Sequence, residues 1–352
     1  MPLVNSNTNT IPSFGNNKGV ASSTPSAPLP FDAFGVARAG YSTRKLKNAY
    51  FGPCMQVRDG NNVLHDIGFD SSGKLDTAAI DTIAQNAGGT SDVTVSIWYD
   101  QSGNGNHLTM PAVSTQPIIW SKGTLSGLPS QNGIVKSNNG GNVGPQLDFP
   151  GVWFWFDGSN TAYFDIALGD PSGTGLTPNQ SFGVNPGIFV CVFQPNTGPA
   201  CTFSTMSMFG RPGSGNVSNY HPIAQTGSTF TEIFRGLRVN GVSGYNPLNP
   251  PGIYFDGADI TSNITDRNTA FANYVKNLCT PQNFQLYIYS AKNMTWNTAS
   301  HLPVNRIINY FGLAGSASWS MKSIVQEILF FDNNSDNNNT LDNNINEYYK
   351  TY

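Results

Sequence analysis

Residues 323–332 read SIVQEILFFD, a run of apolar, β-branched and aromatic side chains that stops at Asp332 and a string of asparagines. A run this short, bounded by turn-forming residues, reads as a buried β-strand rather than a helix. Alternation along it turns Glu327 to the solvent face, with a structural use expected for its carboxylate. Four other segments share the pattern: DVTVSIWYD (92–100), VWFWFDG (152–158), GIFVCVFQP (187–195) and FQLYIYS (284–290). Each is bounded by Gly, Pro, Asn, Asp or Ser. Many short strands with such punctuation predict an all-β fold, a β-sandwich or jelly roll. Two segments read as helix. LDTAAIDTIAQNAGG (75–89) puts Leu75, Ala79, Ile80, Ile83 and Ala87 on one face, with Asp76 near its start and Gly88 at its end. TLDNNINEYYKTY (340–352) predicts a closing amphipathic turn or two.

Around these strands the composition is skewed. Of 352 residues only 11% are charged, against roughly 25% in ordinary soluble domains. Gly (37), Pro (23) and about 40 Asn take their place, which makes a turn-rich, helix-poor chain. A net charge of -3 and a pI near 5.7 offer no cationic surface for a nucleic acid. Hydrophobic residues at 38% suffice for a core and exclude wholesale disorder. No apolar run approaches the roughly 18 residues of a membrane span. Residues 1–30 are polar and rich in Pro, Ser and Asn, and predict an extended arm, either a passive tail or a tether between subunits. Residues 31–352 are expected to form a single β-sandwich domain. The first residues, MPLVNSNTNT, lack the basic and apolar regions of a classical signal peptide.

The chemistry-bearing residues are sparse. Of the 21 acids only Glu232, Glu327 and Glu347 are glutamates. A glycosidase needs two facing carboxylates, about 5–5.5 Å apart for retention or about 6.5–9.5 Å for inversion. Glu232 has Arg235 and Arg238 nearby and reads as an ion-pair partner; Glu347 lies in the terminal helix. Glu232 and Glu327 are therefore only weak catalytic candidates. His65, His107, His221 and His301 form no ligand pair, so no metal site is expected. No G-x-S-x-G elbow, Walker loop or strand-linked G-x-G-x-x-G occurs, so no cofactor is expected. Cys191 and Cys201 flank a Pro/Gly turn, either bridged across a hairpin or two half-buried thiols on neighbouring strands. In VWFWFDG, Trp153 and Trp155 share one face and Phe154 and Phe156 the other. Either both faces are core, or the indoles face outward as a platform for sugar rings or another subunit.

Residues 39–84 and 95–109 carry YSTRKL, AYFGP, V-R, D-I-G-F, LDTAA and YDQSGNGNHLT in that order. This stretch resembles the opening third of the fungal-type α-L-arabinofuranosidase B catalytic domain. The resemblance implies a concanavalin A-like β-sandwich. The residues themselves point to structural work. Asp100, Ser102 and Asn104, with Gly103 and Gly105, suit a tight Asx-type turn. Arg44 and Arg58 are expected to pair with Asp66 or Asp100 inside the sandwich. Asn104, Asn106 and His107, with the two tryptophans, are the candidate glycan contacts. The family's D-x-E-N-G-like nucleophile segment, its G-D-N-S-like acid segment and its adjacent Cys–Cys pair have no counterpart here. Related openings also occur in structural proteins of phages and large DNA viruses. The expected role is a non-catalytic structural protein of a virus or phage particle, at the virion surface or capsid, with partners among other virion or shell proteins through the arm, and glycans as further ligands. The alternatives are an arabinofuranosidase-like glycoside hydrolase and a stand-alone carbohydrate-binding module.

Overall fold

The spine of the molecule is the strand Lys322–Phe331, the segment read first above. Its structure is a computed structural model that describes residues 27–34, 36–105, 107–110, 113–123, 132–136, 145, 147–150, 154–156, 188–195, 209–210, 224–226, 229–232, 252–259, 287–292, 310–311, 313–314, 316–320, 322–331 and 340–351. One edge of the spine pairs along its length with Ile188–Pro195, from Ile188↔Phe331 to Pro195↔Ser323. The other edge is shared. Strand β1 (Ala37–Ser42) takes residues 327–331 and Leu147–Pro150 takes 322–325. The fold is all-β, and all ladders among the described residues are antiparallel. Sixteen strands join one hydrogen-bonded network.

Every residue of the spine from Ile324 to Phe331 is buried. This corrects the expectation that Glu327 faces solvent. The spine has a layer on each face, so alternation separates two interiors rather than inside from outside. Leu329 and Phe331 point to one layer, where Phe31, Leu46, Ile188, Val190, Ile288, Leu341, Ile345 and Tyr349 pack with them. On the opposite side Tyr41, paired with Ile328, meets Trp98 at a ring separation of 6.0 Å.

Trp98 owes its place to a register shift. It ends β4 (Val93–Trp98), which pairs with β2 (Met55–Arg58); β2 in turn pairs with β3 (Leu64–Ile67). Val57 pairs with Val95 and Gln56 with Ile97, leaving Ser96 as an extra residue. Strict alternation from Val93 and Val95 would put Trp98 outside; the bulge returns it to the core.

Among the described residues three α-helices accompany the sheet. Helix α1 (Pro30–Ala33) starts on a proline and seats Phe31 edge-on against Phe331, with centroids 5.5 Å apart. The Pro28 carbonyl already accepts from Asn344 Nδ2 at 2.9 Å, so the docked part of the chain begins before Phe31; residues 1–26 of the expected arm lie outside the described residues. Helix α2 (Thr77–Asn86) lies inside the expected span 75–89 and is shorter at both ends, leaving Leu75 and Ala87 outside it. The Asp76 carboxylate accepts from Ala79 N at 3.0 Å as N-cap, and Gly88 follows at φ 91°. Its buried face is Ile80 and Ala84. The third helix, Thr340–Tyr349, exceeds the turn or two expected, because Leu341, Ile345 and Tyr349, four residues apart, all find core partners.

Gly40 shows how tightly this layer is filled. A Cβ there would lie 2.1 Å from Phe31 Cζ and 2.9 Å from Leu46 Cδ1. Its φ is not positive, so the demand is for space rather than conformation. Gly40→Ala is expected to destabilise the fold by about 1–3 kcal/mol. Urea denaturation would show this as a lower midpoint with an unchanged slope, and an unmoved midpoint would contradict the packing.

Candidate functional site

The segment Ser42–Leu46 leaves β1, and one side chain bonds it at three points. Gln101, fully buried, accepts from Leu46 N through Oε1 at 2.9 Å, and donates through Nε2 to the carbonyls of Ser42 and Arg44, each at 3.0 Å. This clamp aims Arg44 at the spine. Its Nε donates to Glu327 Oε2 at 2.8 Å and its Nη2 to Oε1 at 3.0 Å, a two-pronged pair. Ser42 Oγ and Tyr349 Oη also donate to Oε2, each at 2.8 Å. The Tyr348 ring lies 4.1 Å from the guanidinium carbon. Burial, the largest single influence, opposes the charge on Arg44, but the charge and hydrogen bond of Glu327 together with Tyr349 and Tyr348 hold the guanidinium above its ordinary pKa. Burial, then the Glu327 charge, keeps the Tyr349 hydroxyl protonated.

The expected partners of the two arginines are therefore corrected. Arg44 pairs with Glu327, not Asp66 or Asp100. Arg58 donates to Asn62 Oδ1 at 2.7 Å and to Gln116 Oε1 at 3.3 Å instead of either aspartate. The long span from Arg44 to Glu327 brings the pair together only through the β1–spine ladder, which no local pattern reveals.

Asp100 makes the Asx-type turn expected of it. One oxygen accepts from Gly40 N and Ser102 N, both at 2.9 Å, and the other from Ser102 Oγ at 2.7 Å. Gly103 and Gly105 have φ of 93° and 77°, the left-handed conformations this turn requires. His107 Nδ1 accepts from Asp100 N at 3.1 Å, which fixes the other ring nitrogen as the N–H in the neutral ring. Burial holds the His107 pKa below its ordinary value, although Asp100 pulls the other way.

On the surface beside this turn, His107 meets Tyr99 edge to face, with ring centroids 5.0 Å apart. Tyr99 Oη donates to exposed Asp66 at 2.9 Å, and Gln56 Nε2 donates to the same oxygen at 3.1 Å. Burial first, then this bond, pushes the Tyr99 pKa up to about 12. Asn104 is exposed and donates to Ala37 O at 3.0 Å.

Of the other candidates, Trp153 and Asn106 lie outside the described residues. Trp155 and Glu232 are described in backbone only, in the strands Phe154–Phe156 and Thr229–Glu232. Trp155 pairs with Thr109 and Tyr310. Cys191 is a buried free thiol, and Cys201 lies outside the described residues. Among the described residues no group of three or more His, Cys, Asp or Glu is placed to hold a metal, and no helix is long and apolar enough to cross a membrane.

No family model and no curated protein matches the chain. Among solved structures it is similar to a GH54 α-L-arabinofuranosidase soaked with a cyclic sulfate inhibitor, at 16% identity and TM-score 0.48. It is also similar to a GH54 variant soaked with 4-nitrophenyl α-L-arabinofuranoside, at 15% and 0.49, and to an arabinofuranosidase complexed with arabinofuranosyl-α-1,2-xylobiose, at 15% and 0.45. Each similarity covers 89% of this chain and 63% of the other, so the chain spans under two thirds of those proteins' length.

Proposed function

We propose that the chain is a non-catalytic structural protein of a viral or phage particle, a concanavalin A-like sandwich at the virion surface or capsid, tethered to other shell proteins by its N-terminal arm. The observation that carries the non-catalytic part is the state of Glu327. It is fully buried, and both its oxygens are taken by donors from Arg44, Ser42 and Tyr349. A carboxylate buried and bound in this way does not reach a glycosidic oxygen. The particle reading rests on composition. A surface of Asn, Ser, Thr and Gly packs against neighbours through hydrogen bonds without stripping water from charges. The Pro/Ser/Asn-rich arm suits a tether.

The test compares the full chain with a variant lacking residues 1–26, which leaves Pro28 and Phe31 to dock. Both are expected to melt at the same temperature, while only the full chain co-sediments with large symmetric particles. Equal incorporation of the two would overturn the tether. Turnover of an aryl arabinofuranoside, abolished by Glu232→Gln, would replace this reading with the glycoside hydrolase.

A further inference from the structure

We propose that the loop of residues 45–53, together with Phe69, is a binding site for an acidic glycan, with a sugar ring stacked on Phe51 and its carboxylate or sulfate group on Lys45. Phe51 is 87% exposed, although Leu46, five residues earlier, is fully buried. Single exposed apolar side chains are ordinary, but this one stands on a loop whose backbone is pinned on both sides of it. Tyr50 folds back across Gly52 to donate from its hydroxyl to Pro53 O at 2.8 Å. A Cβ on Gly52 would lie only 2.6 Å from that hydroxyl oxygen. The loop is pinned further by Lys45 N to Gly73 O at 2.7 Å and Tyr50 N to Lys47 O at 3.1 Å. These bonds fix the backbone that carries Phe51, which lowers the entropic cost of binding there.

The charge says what occupies the ring. Lys45 Nζ stands 5.4 Å from the Phe51 centroid and 5.9 Å from that of Phe69, one ammonium between two aromatic faces. Residues 45–53, KLKNAYFGP, carry two lysines and no acid. Phe69 in turn meets Tyr50 edge to face at 6.3 Å. Polar groups of the same loop stand beside these rings, among them Asn48, whose amide is fixed by a 2.7 Å bond to Asp32. Flat apolar faces bordered by fixed polar groups suit a sugar, whose C–H face stacks while its hydroxyls bond at the edge. A cation fixed at the ring adds a preference for a negative substituent.

This inference is independent of the particle reading, which stands or falls on incorporation. The experiment applies the full chain to an array of neutral, uronate-bearing, sulfated and sialylated glycans, then titrates the best acidic oligosaccharide and its neutral counterpart by calorimetry. The acidic glycan is expected to bind at least tenfold more tightly than the neutral one, the array arms distinguishing carboxylate from sulfate. Phe51→Ala is expected to weaken binding tenfold or more at an unchanged melting temperature. Lys45→Gln is expected to erase the acidic preference while neutral binding stays. Gly52→Ala, which touches no ligand, is expected to weaken binding by displacing Tyr50. Silence across the acidic arms, or wild-type binding by Phe51→Ala, overturns the proposal.

Discussion

Glu327→Ala is expected to destabilise the protein by about 3–5 kcal/mol, because it leaves the Arg44 guanidinium buried without its counter-charge. It also strips the acceptor from Ser42 Oγ and Tyr349 Oη. Glu327→Gln keeps the shape and one acceptor oxygen but loses the charge, and is expected to cost less. The Arg44→Met/Glu327→Met double variant separates the origin of the loss. If it recovers most of the stability lost by Glu327→Ala, the damage was an unpaired charge rather than a void. Equilibrium urea denaturation of the three variants measures this. A loss under about 1 kcal/mol for Glu327→Ala, the range of exposed ion pairs, would contradict the buried geometry.

The second large effect is one of pH. Asp256 and Gly257, at φ 47° and 74°, form the two-residue turn between the paired strands Gly252–Phe255 and Ala258–Asp259. The Asp256 carboxylate accepts from Ile288 N at 2.8 Å, while its own N–H donates to Ile288 O at 2.8 Å. Burial, with the Asp342 charge adding to it, pushes the Asp256 pKa from 3.8 up to about 7, against the bonds from Ile288 and Thr351. The folded state therefore keeps a proton that the unfolded chain has lost. The stability this contributes is full below pH 3.8, falls as pH rises toward about 7, and is gone above it. The span is on the order of 4 kcal/mol. Asp256→Asn keeps an acceptor for Ile288, makes the favoured Asn-Gly turn and removes the titration. It is expected to be more stable than wild type at pH 8 and about equal at pH 4. Chemical denaturation at the two values decides it: a wild-type and a variant curve that stay parallel across pH would refute the assignment.

Asp342 belongs to a second buried polar cluster. It accepts from Lys292 Nζ at 3.1 Å and Ser290 Oγ at 2.9 Å, while Tyr349, at the other end of the same helix, donates to Glu327. The helix Thr340–Tyr349 is thus fastened near both ends by polar contacts, with Ile345 packed between them and Leu341 packed next to Asp342.

Local features were legible in the sequence because their causes are local. Asp76 and Gly88 bracket α2 through capping, and Asp100 with Gly103 and Gly105 makes its turn from neighbours within five residues. The strand character of 323–332 was readable from residue type. Its burial on both faces was not, because alternation reports two environments without saying that both are interior. The partner of Arg44 was missed for a related reason: Asp66 and Asp100 are nearer in sequence, whereas Glu327 is brought in by strand pairing. Gln101 was overlooked because an uncharged amide in a turn gives no signal until the carbonyls it bonds are in place. Phe51 went unread because the exposure of a lone aromatic depends on the course of the loop that carries it.

The shared edge of the spine bears on how the chain is made. Ser42 and Glu327 are 285 residues apart, an interval that takes a ribosome roughly 15–60 s at common synthesis rates. Throughout that wait β1 has been synthesised without the strand that pairs its residues, and Arg44 has only water for a partner. An unpaired strand edge is a template for any other extended segment, and so many long-range ladders make folding slow. The strand that closes the core is synthesised long after β1, and nascent chains are exposed to mispairing with one another until it arrives.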